Sequence, residues 1–298
     1  MGPTDIVVVS YNSRDRLRAC VEPLVGIAGV EVIVVDNASP DHGLEVVGDL
    51  AVSRIQNSRN GGFAYGVNAG WRAGQGRDVL LLNPDATIDG TALGRLAEVL
   101  ERDPGVGAVA PRIVNEDGSL QPSLRRFPRL RSTFSQALFV HRLAPRASWA
   151  DEVIRDPRAY ASYWEPEWVS GACVLVRREV LERLDGLDEG FFLYGEDKDL
   201  CRRIRAAGFG IAFDPLARCT HEGGASAPRA GLLPVLAASR VRYAAKHYRP
   251  AAAALERLGV ALSGLTHALA GRGGLEFRRG HLRAARTALA PRGRRSRR

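Results

Sequence analysis

The first hundred residues alternate between short apolar runs and longer amphipathic stretches. The apolar runs are β-branched or leucine-rich and are bounded by polar residues and Gly, as buried parallel strands are. The predicted strands are Ile6–Val9, Val30–Val35, Val52–Ile55 and Val79–Leu82. The predicted helices are Arg14–Val25, Gly43–Leu50, Phe63–Ala73 and Ala92–Glu101. This alternation indicates an α/β fold with a mostly parallel central sheet, flanking helices and right-handed crossovers.

The pattern is less regular further along the chain. A strand at Val106–Ala110 precedes a Pro- and Arg-rich stretch, Pro111–Pro128, which is typical of an exposed irregular segment, and residues 132–164 show no clear period. Regular structure is predicted to return at Trp168–Val176, followed by helices at Arg178–Leu184 and Glu196–Ala207 and a short strand at Gly210–Asp214. We therefore expect an α/β domain over residues 1–230, a basic helical extension over 231–290 and a disordered tail over 291–298.

The charge is unevenly distributed. From Arg240 to the C-terminus, 15 Lys and Arg face only Glu256 and Glu276, a net charge of +13. Since the formal net charge of the whole chain is +9, the first 239 residues carry −4. A basic helical segment can bind an anionic membrane surface, bind nucleic acid phosphates or remain a solvated helix face. Because no nucleic-acid-binding module accompanies it, we expect a membrane surface as partner and no nucleic acid.

The sequence also predicts where the protein is located. It has no run of about 18 apolar residues, and Asp5 and a strand follow Met1 at once, so neither a spanning helix nor a signal peptide is expected. The four cysteines have no CxxC spacing, which suits a reducing cytoplasm and predicts inert thiols rather than a zinc site. They are Cys20, Cys173, Cys201 and Cys219. We expect a cytoplasmic protein that lies peripherally on the inner face of the cell membrane.

Polar residues follow the predicted strands at the points where the strands end. They are Ser10–Ser13, Asp36–Ser39 and Asn83–Asp85, and a further group, Asn60–Gly62, opens the helix predicted at Phe63. In an open α/β sheet the carboxyl ends of the strands meet at one edge, where ligands bind. Backbone N–H groups at the start of a helix can also meet an anion. One polar turn alone would be an N-cap, but four at one edge favour a ligand site.

The first of these turns argues against two classes of nucleotide-binding protein. Ser10-Tyr11-Asn12-Ser13 has neither the G-x-G-x-x-G of dinucleotide-binding folds nor a Gly-rich, Lys-containing phosphate loop. NAD binding is therefore disfavoured, and P-loop NTPase activity is excluded. Two alternatives stay open at this point. One is a sugar nucleotidyltransferase, although it would need a Gly-rich, basic first loop. The other is a non-catalytic membrane- or nucleic-acid-binding protein that acts through the basic tail.

Six short segments, in order along the chain, carry a family resemblance. They are Val8–Asn12, Val34–Ser39, Gly62–Asn68, Leu82–Ala86, Trp168–Ala172 and Phe191–Asp197. Together they resemble the GT-A family 2 glycosyltransferases, particularly the bacterial rhamnosyltransferase-like branch. The resemblance implies the GT-A nucleotide-diphospho-sugar transferase fold and inverting transfer of a sugar. The donor would be dTDP-rhamnose or a UDP-sugar, and the acceptor a saccharide or a polyprenyl-diphosphate-linked saccharide in cell-wall or surface polysaccharide synthesis.

The resemblance also implies residues that bind the donor and a cation. The implied donor-binding residues are Ser10, Tyr11, Asn12, Asp36, Asn60, Gly62, Asn68, Asn83 and Asp85. Tyr11 can offer a ring face to a pyrimidine base, and Asp36 can accept the imide N–H of that base. Asn83-Pro84-Asp85 stands where the family has D-x-D. Asp85 and His221 would hold Mg²⁺ or Mn²⁺ together with the donor phosphates, whereas the neutral Asn83 is not expected to ligate the ion directly.

The acceptor side is implied by the later segments. Asp197, the second residue of the Glu196-Asp197 pair, would deprotonate the acceptor hydroxyl while the cation and diphosphate stabilise the leaving group. Trp168, Gly171 and Glu196 would line the acceptor site, because the apolar face of a sugar stacks well on an indole. Each residue also has a structural alternative: Asp197 lies in a first helical turn and complements the helix dipole, Trp168 can pack in a core, and His221 can be structural.

Overall fold

The computed structural model describes residues 2–143, 147–222, 230–270 and 273–290. These residues form two compact units. As far as they are described, the first comprises 2–127, 153–192 and 196–222, and the second comprises 128–143, 147–152, 193–195, 230–270 and 273–290. This division differs from a single boundary at residue 230, because 128–152 cluster with the C-terminal helices. The predicted disordered tail, 291–298, lies outside the described residues.

The first unit is built on a mostly parallel sheet of eight strands, in the order β3-β2-β1-β4-β9-β6-β10-β5. Ten strands are described in all, namely β1 Thr4–Ser10, β2 Val30–Asp36, β3 Ser53–Gln56, β4 Asp78–Leu82, β5 Ala86–Ile88, β6 Val106–Val114, β7 Leu124–Arg125, β8 Trp168–Val169, β9 Cys173–Arg177 and β10 Gly210–His221. Two of them, β7 and β8, form a separate small sheet. β1 pairs in parallel with β2 and β4, β2 with β3, and β6 with β10. β9 runs antiparallel to both of its neighbours, and β5 to β10. The predicted α/β class and mostly parallel sheet are confirmed.

Ten α-helices are described. They are α1 Arg14–Val21, α2 Phe63–Ala73, α3 Gly90–Arg102, α4 Leu130–Ala137, α5 Val140–Leu143, α6 Arg178–Arg183, α7 Glu196–Ala206, α8 Leu233–His247, α9 Pro250–Ala270 and α10 Leu275–Leu289. The first unit contains α1–α3, α6 and α7, and the second contains the others. The predicted C-terminal helical character of the chain is confirmed by α8, α9 and α10. None of the described helices has the length and apolar character needed to cross a bilayer.

Two apolar clusters cover the faces of the large sheet. Successive side chains of a strand point to opposite faces, so Ile6 and Val8 of β1 pack with α1 and α3, whereas Val7 and Val9 pack with α2 and α7. All seven residues of β1 are buried. This explains why the strand appears in the sequence as an unbroken apolar run rather than as an alternating pattern.

Three predictions about the first hundred residues need correction. The helix predicted at Gly43–Leu50 is only a 3₁₀ turn at Gly43–Val47, entered through His42 at a left-handed φ of 55°. The first helix ends at Val21, before Pro23, which has no N–H to donate to a helical carbonyl. β5 was not predicted, because three residues are too few to show a period.

Two strands near the expected site are longer than predicted. β6 continues through Pro111 to Val114, so the segment predicted to be irregular begins as a strand. β10 continues beyond Asp214 to His221, and its register with β6 shifts between Asp214 and Arg218. A bulge of this kind lets a strand carry on past residues that cannot keep a regular ladder. As a result, β10 delivers His221 opposite Ala86 of β5.

The ordered stretch predicted at Trp168–Val176 contains two strands that lie in different sheets. β8 pairs with β7 in a small two-stranded sheet, while β9 joins the large sheet between β4 and β6. The break falls at Ser170–Ala172, where the backbone N–H of Gly171 donates to Asp197 rather than to a strand. The chain therefore changes sheet next to the predicted catalytic carboxylate.

The second unit is held together by a buried ionic cluster that the sequence did not indicate. Arg240 of α8 donates to Glu152 Oε1 at 2.8 Å and to Glu256 Oε1 of α9 at 3.2 Å. Thr133 of α4 donates to Glu256 Oε2 at 2.7 Å. Removing one partner of a buried pair leaves an uncompensated charge, which typically costs about 3–5 kcal/mol. The segment around α4 was not assigned from sequence because its partners lie more than a hundred residues later.

Candidate active site

The polar groups predicted to converge are brought together at the carboxyl edge of the sheet. In the β1–β2 register Ser10 lies opposite Asp36, and in the β1–β4 register Val8 lies opposite Leu82, the residue before Asn83. Tyr11 follows β1 directly and is 46% exposed. Ser10, Asp36 and Asn83 therefore lie on neighbouring strands at one edge, as parallel pairing requires.

Asp36 has one satisfied and one unsatisfied carboxylate oxygen. Its Oδ2 accepts from the backbone N–H of Ser39 at 2.8 Å and from Gln56 Nε2 at 2.7 Å. Its Oδ1 is buried and has no hydrogen-bond partner among the described residues, and the same holds for Ser10 Oγ. Buried polar atoms are almost always paired, and leaving one unpaired costs about 1–3 kcal/mol. Oδ1 is thus an acceptor that a bound ligand could satisfy.

Asp85 and His221 form a second polar group beside the first. His221, 4% exposed, places Nε2 3.1 Å from Asp85 Oδ1. Asn83 Nδ2 lies 3.3 Å from the same Nε2, and Gln121 Oε1 lies 2.7 Å from Nδ1 on the other side of the ring. The backbone N–H of Glu222 donates to the carbonyl oxygen of Asp85 at 3.0 Å, which ties the end of β10 to the Asn83–Asp85 turn.

The donors and acceptors around His221 fit a divalent cation. An amide oxygen such as Gln121 Oε1 only accepts, so at 2.7 Å from Nδ1 it favours the tautomer with the proton on that nitrogen and the lone pair on Nε2. In that tautomer the Nε2 lone pair and Asp85 Oδ1, 3.1 Å apart, are both acceptors, and a cation bound between them would satisfy both. Carboxylate and imidazole suit Mn²⁺, which takes its other ligands from phosphate and water. Among the described residues, no group of three or more His, Cys, Asp and Glu side chains could hold a metal ion. Phosphate and water would therefore have to supply the remaining ligands of a cation at Asp85 and His221.

Asp197 lies at the start of α7, where two backbone groups hold its carboxylate. Oδ1 accepts from the N–H of Lys198 at 2.7 Å, and Oδ2 accepts from the N–H of Gly171 at 3.3 Å. The next residue, Ala172, accepts at its carbonyl from the N–H of Asn83 at 2.9 Å. The Ser170–Ala172 turn therefore joins the carboxylate on α7 to the group that contains Asp85 and His221.

Glycine at position 171 permits this close approach. A Cβ atom there would lie 3.2 Å from the Cβ of Asp197, tighter than an ordinary van der Waals contact. The other two residues predicted on the acceptor side lie nearby in sequence. Trp168 is half-buried and donates from Nε1 to the Arg126 carbonyl at 2.9 Å, while Glu196 is only 6% exposed.

Two cations lie over the Trp168 ring. The Arg125 guanidinium and the Lys198 ammonium are each 5.8 Å from the ring centroid. Both separations are within the range of cation–π attraction. Part of the indole face is therefore engaged with protein cations, so stacking of a sugar on Trp168 stays a prediction.

The start of α2 was predicted to offer backbone N–H groups to an anion, but two of these groups have acceptors within the protein. Asn60 Oδ1 accepts from the N–H of Gly62 at 3.0 Å, and the N–H of Phe63 donates to the Phe192 carbonyl at 3.0 Å. Gly62 has a φ of 90°, and a Cβ there would lie 2.1 Å from the same carbonyl oxygen, so only glycine fits. Two of the N–H groups that could meet an anion at this helix start thus already have acceptors within the protein.

Asn68 likewise has its hydrogen-bonding capacity taken up. Its Nδ2 donates to the Leu187 carbonyl and to Glu189 Oε1, both at 2.9 Å. Its Oδ1 accepts from Trp71 Nε1 at 3.1 Å and from the Leu187 N–H at 2.9 Å. Two donors and two acceptor positions are all that an amide offers, so Asn68 anchors the 187–189 segment to α2. Its predicted role in donor binding has no support from these contacts.

Sequence reasoning missed the glutamines that support the site. Gln56, at the end of β3, holds Asp36 Oδ2, and Gln121 holds His221. Gln121 falls in the stretch predicted to be irregular, where no period marks its position. The four cysteines, predicted to be inert thiols, are all buried. Burial raises the pKa of the Cys20 and Cys173 thiols, and that of Cys201 to about 12, so these three remain protonated.

Comparison with known sequences places the chain in a family. A model described as glycosyltransferase like family 2 matches residues 2–244. N-acetylglucosaminyl-diphospho-decaprenol L-rhamnosyltransferase of Mycobacterium tuberculosis is 32% identical over 235 residues, covering 72% of this chain and 75% of the relative. Rhamnosyltransferase WbbL of Escherichia coli K12 is 25% identical over 230 residues, covering 72% of this chain and 82% of the relative.

Solved structures show the same fold at low sequence identity. The mannosyltransferase PcManGT from Pyrobaculum calidifontis, in complex with GDP-Man and Mn²⁺, superposes with a TM-score of 0.61 at 19% identity, over 97% of this chain and 87% of that chain. Staphylococcus aureus TarS 1-349 in complex with UDP-GlcNAc gives 0.53 at 14% identity, over 96% and 90%. Given this fold, the match over residues 2–244 and the 32% identity to a curated relative, the chain belongs to family 2 of the glycosyltransferases and has the GT-A fold.

Proposed function

We propose that this glycosyltransferase moves a sugar, with inversion, from a nucleoside-diphosphate sugar to a saccharide or a polyprenyl-diphosphate-linked saccharide. The donor is dTDP-L-rhamnose or a UDP-sugar, and the product enters cell-wall or surface polysaccharide. Two relatives support this choice, since both are named rhamnosyltransferases and one is named for a diphospho-decaprenol substrate. The observation that carries the proposal is the alignment of Asp36, the Asp85–His221 pair and Asp197 along one sheet edge.

In the proposed reaction Asp197 accepts the proton of the acceptor hydroxyl as the hydroxyl oxygen attacks the anomeric carbon. The bond between that carbon and the nucleoside diphosphate breaks, and the diphosphate leaves from the opposite face. The two backbone N–H bonds to Asp197 hold its carboxylate in place and leave lone pairs on both oxygens for this proton. Asp85 and His221 would hold Mg²⁺ or Mn²⁺, which when bound neutralises charge on the leaving diphosphate.

A panel of nucleotide sugars tests the proposal directly. The full chain is incubated with dTDP-L-rhamnose and with several UDP-sugars, with and without Mn²⁺, and both donor hydrolysis and the shift in melting temperature are recorded. We expect one donor to stabilise the protein and to be hydrolysed slowly in the presence of Mn²⁺. Absence of stabilisation by every donor would contradict the proposed donor class and favour the non-catalytic alternative.

Asp36→Asn is expected to reverse the preference of the site between nucleotide bases. Uracil and thymine present an imide N–H to an acceptor such as Asp36 Oδ1, whereas cytosine presents an acceptor nitrogen at that position. When the amide oxygen of the variant keeps the Ser39 and Gln56 bonds, its NH₂ group replaces Oδ1. UDP binding should then weaken roughly 10- to 100-fold, the worth of a hydrogen bond to a charged group, while CDP binding improves.

Calorimetry of UDP and CDP binding to both proteins measures this preference. Glu31→Gln is the matched control, because Glu31 is an exposed carboxylate on the same strand, β2, and its hydrogen-bond partner is the Ser53 hydroxyl. The control should bind UDP as the wild type does. An unchanged ratio of UDP to CDP affinity in Asp36→Asn would remove Asp36 from base recognition.

We further propose that α10 binds an anionic membrane surface. Its buried face is made of small residues, Gly280, Ala284, Ala285 and Ala288, which pack within the helical unit. Leu275, Leu282 and Leu289 lie seven residues apart and are 63%, 42% and 52% exposed. Spacing of seven puts these leucines on one helix face, and Arg279 and Arg286 fall on the same face. A helix with exposed leucines among arginines is suited to lie in a membrane interface.

The full chain is therefore expected to float with anionic liposomes and to bind neutral ones poorly. Binding should weaken with salt, because charges are screened within about 8 Å at physiological ionic strength. Leu282→Gln and a chain ending at Gly274 should both lose affinity. Leu216→Gln is the matched control, since Leu216 is also exposed, at 68%, but lies in the first unit. Equal flotation of the full and shortened chains would contradict the membrane proposal and leave the enzyme assignment intact.

A further inference from the structure

A tight turn after β6 carries a chain of polar side chains toward His221. The backbone N–H of Asn115 donates to the Ser119 carbonyl, and that of Gly118 donates to the Asn115 carbonyl, both at 2.9 Å. Beyond the turn, the N–H of Gln121 returns to the Ile113 carbonyl at 3.0 Å. The turn is exposed at Asp117, whereas His221 is buried, so the side chains between them lead from solvent to the site.

Four side-chain hydrogen bonds connect these residues without a gap. Ser119 Oγ donates to Asp117 Oδ1 at 2.5 Å, and Asn115 Nδ2 donates to Ser119 Oγ at 2.8 Å. Gln121 Nε2 donates to Asn115 Oδ1 at 3.0 Å. The last contact joins Gln121 Oε1 to His221 Nδ1 at 2.7 Å.

The donor and the acceptor of each of these four hydrogen bonds can be assigned by starting from the exposed residue, Asp117. The hydrogen bond from the Ser119 hydroxyl holds the pKa of Asp117 below its usual range, so Asp117 is an ionised carboxylate that only accepts. Because Ser119 donates its single hydroxyl proton to Asp117, its oxygen must accept from the Asn115 NH₂ group. The Asn115 oxygen is thereby left to accept from the Gln121 NH₂ group, and the Gln121 oxygen faces His221.

We propose that the segment Asn115–Gln121 is a one-directional hydrogen-bond relay that fixes His221 as the tautomer protonated on Nδ1. Gln121 is then a positioning residue, since it directs the Nε2 lone pair of His221 toward Asp85. The use of that lone pair for a cation rests on the proposed function, whereas the tautomer does not. Without the relay, Asp85 Oδ1, 3.1 Å from Nε2, becomes the acceptor that the ring proton meets, and the tautomer reverses.

Long-range ¹H–¹⁵N correlation spectra of the metal-free full chain, recorded where the imidazole is neutral, distinguish the two ring nitrogens. In the wild type we expect a proton on Nδ1 of His221 and none on Nε2. Gln121→Leu should move the proton to Nε2, whereas Gln121→Glu, which keeps an acceptor oxygen, should leave Nδ1 protonated. Glu116→Gln is the control, because Glu116 lies in the same turn but outside the chain of bonds, and it should match the wild type.

Asn115→Ala provides a second route should Gln121→Leu fail to fold. It removes the acceptor that orients the Gln121 amide and leaves His221 untouched, so a measurable fraction of the Nε2-protonated tautomer should appear. A wild-type protein protonated on Nε2 would overturn the relay. The same conclusion would follow if the folded Asn115→Ala protein had the wild-type tautomer alone.

Binding of Mn²⁺ alone, followed by the loss of its free-ion electron paramagnetic resonance signal, separates the relay from the cation site. If both proposals hold, Gln121→Leu weakens Mn²⁺ binding roughly 10- to 100-fold, as loss of a partner behind a metal-binding histidine does. Unchanged Mn²⁺ affinity in a variant whose tautomer has reversed would support the relay and overturn its link to a cation. A wild-type chain that binds no Mn²⁺ would count against the cation site, while the spectra would still decide the relay.

Discussion

Asp197→Asn should lower the rate of sugar transfer by about 10²–10⁴ while donor affinity and melting temperature stay at their wild-type values. This is the range expected when a general base loses its ability to accept a proton. The substitution is nearly isosteric, and an amide oxygen can still accept from Gly171 or Lys198. The NH₂ group of the variant faces the other N–H, so one of these two hydrogen bonds is lost. The measurement is initial rate under saturating donor, accompanied by calorimetry and thermal unfolding.

Asp185→Asn is the matched control for this variant. Asp185 is a surface residue in an exposed ion pair with Arg72, and such pairs contribute about 0–1 kcal/mol to stability. The control should therefore transfer sugar at the wild-type rate. If Asp197→Asn did so as well, the base assignment would be lost, and Glu196→Gln would be the next variant to measure.

The strand ends of this site could be predicted because parallel strands fix where their following loops go. Ser10, Asp36 and Asn83 each follow a run of buried apolar residues, and hydrogen-bonded registers between neighbouring strands bring them to one edge. The position of His221 could not be predicted this way. It depends on β10 continuing past a register shift, which no local pattern in the sequence marks.

Side-chain partners were harder to predict than positions. Asn60 and Asn68 look like ligand-binding residues in the sequence, because Asn60 opens the group before a predicted helix and Asn68 lies in a segment that carries the family resemblance. Asn68, however, is buried and meets the 187–189 segment, which is more than a hundred residues away in sequence. Gln121 shows the opposite case, since it looks like a loop residue and yet supports the site. Long-range hydrogen bonds decide both outcomes, and a local pattern carries no information about them.

Asp85→Ala is expected to make donor binding independent of Mn²⁺. Asp85 is the carboxylate that faces the Nε2 lone pair of His221, and the neutral Asn83 cannot replace its charge. A hard divalent ion that takes one or two protein carboxylates loses its anchor when this one is removed. Donor affinity of the variant in Mn²⁺ should therefore fall to the value that the wild type shows in the presence of a chelator.

Calorimetry with the donor identified by the nucleotide-sugar panel, in Mn²⁺ and in chelator, gives four affinities for this comparison. Glu222→Gln is the matched control, because it removes a carboxylate next to His221 that forms an exposed ion pair with Arg16. The control should keep the full Mn²⁺ dependence. Asp85→Ala should also keep its binding of the base, since the Asp36 contacts lie on β2 and do not involve Asp85. A variant that still binds the donor more tightly in Mn²⁺ would show that Asp85 only shapes the turn between β4 and β5. The cation would then have to be held by other groups.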